Sequence, residues 1–305
     1  MNEPLVYLDG RFVAESAAGI SITDAGFVQG TTIAEQLRTF GGSLFHPREH
    51  LARLDRSLQI IGINPGIARE RLLEIARELV EHNHRLLAAG DDLGLSIFVT
   101  AGEYPGYSTH PEAEPTVCLH TYPLPFRLWA RRYRTGQPLR TTEIRQVPPD
   151  CWPPALKCRS RMHYYLADRL ARSAEQDARA LLLDHKGWVT EASTANILLY
   201  RQEDGLFSPP ASKVLAGISL AAACELGGRI GLRTTYRDVT TEDVASADEV
   251  FLTSTPLCIL PVSRLDGQPI RSGEPGEVFE RLMAEWNASV GIDIVAQAER
   301  FAHRE

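Results

Sequence analysis

The stretch "GWVTEASTANILLY" (187–200) places a carboxylate, Glu191, among residues that read as core strands. An apolar run, "ALLLD" (180–184), leads into it through the turn-like "DHKG" (184–187), and a second apolar run, "NILLY" (196–200), follows it. Short apolar runs bounded by polar turn residues are the signature of buried strands. A carboxylate in such a setting is costly to bury unless something positive meets it. The reading of the whole chain turns on what that positive partner is.

Working outward, "AGISLAAACELGGRIG" (216–231) reads as a short helix, and "DEVFLTSTPLCILPV" (248–262) as a strand, a polar "TST" turn and another apolar run. "GEVFERLMAEWNASVGI" (276–292) reads as a closing amphipathic helix. Toward the N-terminus, a helix is expected through "MHYYLADRLARSAEQD" (162–177), opening soon after Lys157 and following the Pro-rich "PPDCWPPALK" (148–157) and the strand-like "TTEIRQV" (141–147). The first half begins with a hairpin in "LVYLDGRFV" (5–13), turning at "DG", and a second in "TTIAEQLRTFGGSLF" (31–45), turning at "GG". Leu51, Leu54, Leu58 and Ile61 recur on one face of a helix, and a longer helix runs from Pro65 toward Gly90. "LGLSIFVTAG" (93–102) and "PTVCLHTYPLP" (115–125) read as strands. The expected organisation is an α+β N-terminal domain over 1–122, a connection over 123–132 and a C-terminal domain over 133–305.

Composition bounds the function. The chain has 305 residues, 44% hydrophobic and 23% charged, with a formal net charge of -7. These are the proportions of a soluble globular protein. The acidic balance argues against a nucleic-acid partner, and no apolar run is long enough to span a membrane. "RLWARRYR" (127–134) is a local basic patch, read as a solvated surface loop. The five cysteines form no C-x-x-C pair, so they are expected to be reduced thiols in a cytoplasmic protein; the N-terminus lacks the pattern of a signal peptide.

Several features form a constellation if they converge. Lys157 is nucleophilic if it is desolvated. "AGIS" at a helix start exposes the N–H groups of Ile218 and Ser219, with a hydroxyl beside them, as an anion site. "TST" (253–255) ends a strand with further hydroxyls, and Arg53 sits one residue from the buried stripe of its helix. Taken singly, each also reads as an ordinary surface lysine, strand residue, helix cap, polar turn or solvated arginine.

These residues carry a resemblance. "YLDGRFV", "DAGFVQGTTIAEQLRTFGGSLFHPREHLARLDRS", "ALKCRSR", "LLLDHKGWVTEASTANILL", "VLAGIS" and "EVFLTSTPLCILPV" occur in the order and spacing of the class IV aminotransferases, the fold-type IV pyridoxal-phosphate enzymes. That family includes branched-chain and D-amino-acid aminotransferases and aminodeoxychorismate lyase. The resemblance implies a two-domain fold: a smaller N-terminal α+β domain and a larger C-terminal domain with a barrel-like sheet, α+β to α/β in class. It implies pyridoxal 5'-phosphate as cofactor and a homodimer. It implies Lys157 as the lysine of the internal aldimine and the proton shuttle, and Glu191 as the partner of the protonated ring nitrogen. The same resemblance puts Arg53, Ile218, Ser219, Ser254 and Thr255 around the phosphate and Asn196 in support near the ring. The positive partner of Glu191 is then the ring N–H of the cofactor.

The departures from the family pattern fall where a substrate would sit. Alternation along the strand after "QG" puts Ala34, Gln36 and Arg38 on one face, which lines the pocket in relatives. Ala34 stands where many relatives have an aromatic, and "FVTAGEY" (98–104) lacks their arginine, leaving Ala101 there. Met162 replaces the tyrosine of branched-chain enzymes. Arg38 is the first choice for gripping a substrate carboxylate, and Arg159 the second. Tyr104 and Tyr107 lie in a Gly/Pro loop that is a candidate cover. The expected reaction moves an amino group between an amino acid or amine and a 2-oxo acid. The alternative is a lyase that releases pyruvate, suggested by "PGYSTHPEAEPTVCLHTYP" (105–123); Glu35 in "AEQLR" leans toward the transaminase.

Overall fold

The computed structural model of the protein describes residues 3–108 and 113–304. The chain packs as two compact units, Met1–Leu124 with Leu156–Ser160, and Pro125–Ala155 with Arg161–Glu305.

In the first unit, β1 (Leu5–Leu8) and β2 (Arg11–Ala14) form the expected hairpin. Asp9 and Gly10 both take positive φ, 45° and 90°, as a tight two-residue turn between right-twisted strands requires. A short α1 (Ala25–Val28) precedes β3 (Thr32–Phe40) and β4 (Ser43–Leu44), which turn at the glycine pair as read. Then come α2 (Pro47–Ile61), α3 (Arg69–His84), β5 (Leu93–Thr100) and β6 (Val117–Pro123). The strands form a sheet in the order β2-β1-β6-β5-β3-β4. Leu51, Leu54 and Leu58 of α2 and Leu72, Ile75 and Leu79 of α3 are buried in one cluster with Leu37 of β3 and Ile97 of β5. α3 starts at Arg69, later than Pro65: Asn64 Oδ1 accepts a hydrogen bond from Gly66 N, and Gly66 adopts a φ of 67°, so a turn occupies the expected first residues.

Residues 156–160 stand with this unit, not with the C-terminal half to which the sequence reading assigned them. The reason is an open strand edge. β4 covers only the end of β3, and the segment takes the free N–H and C=O groups near its start: Ala34 N donates to Lys157 O (3.0 Å) and Arg159 N to Thr32 O (2.9 Å).

The second unit contains α4 (Arg132–Thr135), β7 (Gln137–Arg145), α5 (Met162–Ala174), β8 (Arg179–Leu183), β9 (Val189–Ala192), β10 (Asn196–Arg201) and β11 (Gly205–Ser208). It continues with α6 (Ile218–Arg229), β12 (Thr234–Tyr236), α7 (Thr241–Ala245), β13 (Glu249–Ser254), β14 (Cys258–Leu265), β15 (Gln268–Pro269), α8 (Glu277–Val290) and α9 (Ile294–Phe301). Its sheet runs β12-β11-β10-β13-β14-β7-β8-β9, with β15 on β14. β9 ends that path yet turns straight into β10 near its other end, so the sheet curls into a half-barrel. α9 escaped the sequence reading. Gly291, in the left-handed region, stops α8, and Asp293 caps α9 by accepting from Ala296 N.

The basic stretch 127–134 is not the solvated loop its charge suggested. Trp129, Ala130 and Tyr133 are buried, and the Tyr133 hydroxyl donates to Leu257 O at 2.7 Å. The apolar residues interleaved with the arginines anchor this segment, while Arg127, Arg131 and Arg134 stay exposed.

Candidate active site

Lys157 is fixed through its backbone. Its carbonyl accepts from Ala34 N, and its N–H donates to Ser57 Oγ on α2 (3.2 Å). The side chain is half-buried, and its charge reaches Glu35 and His50. These two belong to a charged cluster inside the first unit. Glu35 is 0% exposed; it accepts from Arg53 Nε (2.7 Å) and Nη2 (2.8 Å), and its Oε2 lies 2.8 Å from His50 Nδ1. Burial alone would raise the Glu35 pKa, but the bonds from Arg53 and His50 outweigh it and bring it down to about 2. Burial pushes His50 below its ordinary value despite the adjacent carboxylate. Arg53 is therefore buried rather than on a solvated helix face, and Glu35 sets the plane of its guanidinium. His50 escaped the sequence reading; its place three residues before Arg53 on α2, one turn away, was the available signal.

The substrate-facing expectations fare unequally. Arg38 is 0% exposed, stacks 4.0 Å from the Phe40 ring centroid, and donates through Nε to Thr39 O. Alternation identified its strand face but not its depth: the guanidinium is buried. Ala34 is fully buried and Gln36 partly so. Arg159 is half-buried and donates through Nη2 to Ser96 Oγ at 2.8 Å. The Tyr104 and Tyr107 rings meet edge-on at 5.3 Å, with Tyr107 exposed. Part of the lyase-like stretch, residues 109–112, lies outside the described residues.

In the second unit, Glu191 lies on β9 and is buried. Its Oε1 accepts from the Tyr164 hydroxyl (2.6 Å) and from Gln146 Nε2 (2.8 Å); its Oε2 accepts from Asn196 Nδ2 (3.2 Å). Burial, and then the neighbouring carboxylate, raise the Tyr164 pKa well above its ordinary value, so the phenol stays a donor. Asn196 also donates to Leu215 O (2.9 Å), tying the turn after Glu191 to the segment that leads into α6. Gln146 and Tyr164 were not singled out in the sequence; only long-range folding brings them to this carboxylate.

α6 begins at Ile218 behind Gly217, where a Cβ would collide with Asn196 Oδ1, so glycine is required for this approach. The N-cap residue, Gly217, has no side chain to cap the helix. Ser219 is 3% exposed, and its Oγ has no hydrogen-bond partner among the described residues. A buried hydroxyl left unsatisfied beside uncapped N–H groups costs free energy unless an acceptor such as an anion arrives. The Thr253 hydroxyl is likewise buried without a partner among the described residues, while Ser254 and Thr255, at the start of the β13–β14 turn, are half-buried.

The sequence model of the family described as "Amino-transferase class IV" matches residues 32–265, a span that includes Lys157, Glu191 and the start of α6. The chain belongs to the class IV aminotransferases. Its relatives include a D-alanine aminotransferase of Bacillus licheniformis, 29% identical over 288 residues (93% of this chain, 96% of the relative). Another is a D-alanine aminotransferase of Staphylococcus aureus strain N315, 30% identical (91% and 94%). Among solved structures, a T.th. branched-chain amino acid aminotransferase with pyridoxamine 5'-phosphate superposes with a TM-score of 0.85 at 26% identity, covering 95% of each chain. This aminotransferase is thus an enzyme whose cofactor is pyridoxal 5'-phosphate. The second unit fits that group on its own geometry: the orphaned Ser219 hydroxyl and uncapped α6 suit a phosphate, and a buried, oriented carboxylate suits a protonated ring nitrogen. The aminotransferase and cofactor expectations are borne out, as is the mixed α/β fold.

Proposed function

We propose that this aminotransferase moves an amino group between an amino acid or amine and a 2-oxo acid, with Lys157 as its catalytic base. The observation that carries the assignment of roles is Glu191, a buried carboxylate that accepts hydrogen bonds from Tyr164, Gln146 and Asn196. Tyr164, Gln146 and Asn196 orient it without cancelling its charge. Bound pyridoxal phosphate supplies an amine-reactive aldehyde and a protonated ring that withdraws electrons from the substrate Cα. Lys157 contributes the amine that anchors the aldehyde end and that takes and returns the Cα proton. The backbone hydrogen bonds to Ala34 and Ser57 fix the point from which its side chain extends. Glu191 holds a proton at the ring nitrogen by keeping negative charge beside it. Asn196 keeps Glu191 in register with the start of α6. The N–H groups of Ile218 and Ser219, the Ser219 hydroxyl, and the Ser254–Thr255 turn bind the phosphate. Arg53 adds a guanidinium oriented by Glu35.

Arg159 becomes the first choice for a substrate carboxylate, with Ala34 and Gln36 setting the room beside it. It donates through Nη2 to Ser96 Oγ, and an arginine can grip a carboxylate through two nitrogens. We further propose a homodimer in the cytoplasm; the five free cysteines support a reducing compartment. A half-reaction screen tests the assignment: the cofactor-loaded enzyme is mixed with single L-amino acids, D-amino acids and amines, and conversion to the pyridoxamine form is followed by absorbance. Conversion by an amino acid, reversed by a 2-oxo acid, supports it. Pyruvate release without any acceptor would replace it with the lyase.

A further inference from the structure

The second unit holds a cavity of about 470 Å³ lined by Arg127, Arg131, Arg132, Arg172 and Arg179, with Asp168 and Asp177 as the opposing charges. Five arginines against two aspartates concentrate positive charge in a chain whose net charge is -7. Asp177 pairs with Arg132 at 2.8 Å. Asp168 is occupied with the chain itself: its Oδ1 accepts from Ser193 Oγ (2.6 Å) and Ala180 N (3.0 Å). Among the described residues, the guanidinium groups of Arg127, Arg131, Arg172 and Arg179 form no salt bridge and no hydrogen bond. Trp129 lines the same cavity. It is 5% exposed, and its buried indole Nε1–H has no acceptor among the described residues.

Like charges gathered around one cavity repel, and a buried indole N–H without an acceptor adds its desolvation cost. Burial disfavours the charge of Arg179; Asp168 offsets this in part, and Arg172 adds to it. One kind of ligand relieves the repulsion among the arginines: a small anion rich in oxygen acceptors, which guanidinium groups bind through paired N–H donors. We propose that this cavity binds a small multivalent oxyanion, a phosphate ester or polycarboxylate, at a site separate from the cofactor phosphate. Ser193 and Thr194 also line it, so the ligand contacts the turn that joins Glu191 to Asn196. The basic stretch at 127–134, unexplained by transamination, supplies three of the five arginines.

Calorimetric titration of the cofactor-loaded enzyme with pyrophosphate in one arm and citrate in the other tests the site. The expected result is one ion bound per chain, weakened by salt, with affinity at least about tenfold lower in an Arg131→Glu/Arg172→Glu variant. These two exposed residues lie outside the proposed catalytic and cofactor-binding set, so the variant keeps basal activity. Arg134→Glu, an arginine of the same stretch that pairs with Glu299 and does not line the cavity, leaves the affinity unchanged. Pyrophosphate alone binding points to phosphate esters; citrate alone points to carboxylates. Failure of both to bind at millimolar concentration, or equal affinity in the double variant, overturns the proposal.

Discussion

Two buried glutamates divide the chemistry of this enzyme. In the first unit, Glu35 is met by the full guanidinium of Arg53 and by His50. In the second, Tyr164, Gln146 and Asn196 reach Glu191 with neutral donors. An arginine neutralises a carboxylate, whereas a phenol and two amides only aim it. The same residue type thus ties down an arginine and a histidine in one unit and, in the reading proposed above, faces the cofactor ring in the other.

The largest effect belongs to neither glutamate but to the lysine whose charge Glu35 feels. Lys157→Ala should lower transamination by more than about 10³-fold while the fold survives, measured by turnover together with circular dichroism. Near-parental turnover would remove the base from the mechanism. Glu35→Gln should cost about 3–5 kcal/mol in denaturant unfolding, because it leaves a buried guanidinium without its counter-charge. The pH dependence gives the sign. The Glu35 pKa is depressed to about 2 in the folded protein, from an ordinary value of 4.5. Its stabilisation is therefore present above the unfolded value and is lost as pH falls through that window toward 2. The Gln variant should show a shallower loss of stability between those limits, and an unchanged slope would remove Glu35 as a folded-state anchor. Glu191→Gln should reverse the balance, with turnover falling about 100-fold and a stability loss of about 1–3 kcal/mol, below that of Glu35→Gln. A stability loss equal to that of Glu35→Gln would erase the contrast between the two carboxylates. Tyr164→Phe should have the smallest effect on turnover, a reduction well short of that in Glu191→Gln. Its stability should fall by about 1.5–3 kcal/mol from the loss of one hydrogen bond to a charged acceptor. A larger turnover loss than in Glu191→Gln would make the phenol more than a positioning group.

Much of this was legible in the sequence because it is local. Period-3.6 leucines fixed the buried face of α2, "DG" and "GG" fixed two hairpins, and "AGIS" fixed a helix start with a glycine where Asn196 approaches. Strand alternation also placed Arg38 on a face with Ala34, but period two says nothing of depth, and the arginine proved to be core. The run at 127–134 misled for a related reason: its charge was visible, whereas the burial of Trp129 and Tyr133 against the rest of the unit was not.

By itself the sequence determined the longer helices and the main strands, the family and the residue types that cofactor chemistry requires. The tertiary structure alone decided which partners they meet. Tyr164 reaches Glu191 across 27 residues and Gln146 across 45, while Ser57 holds the Lys157 backbone from 100 residues away. Hydrogen bonds and buried charges act over a few ångströms, and only the folded chain brings such distant positions that close.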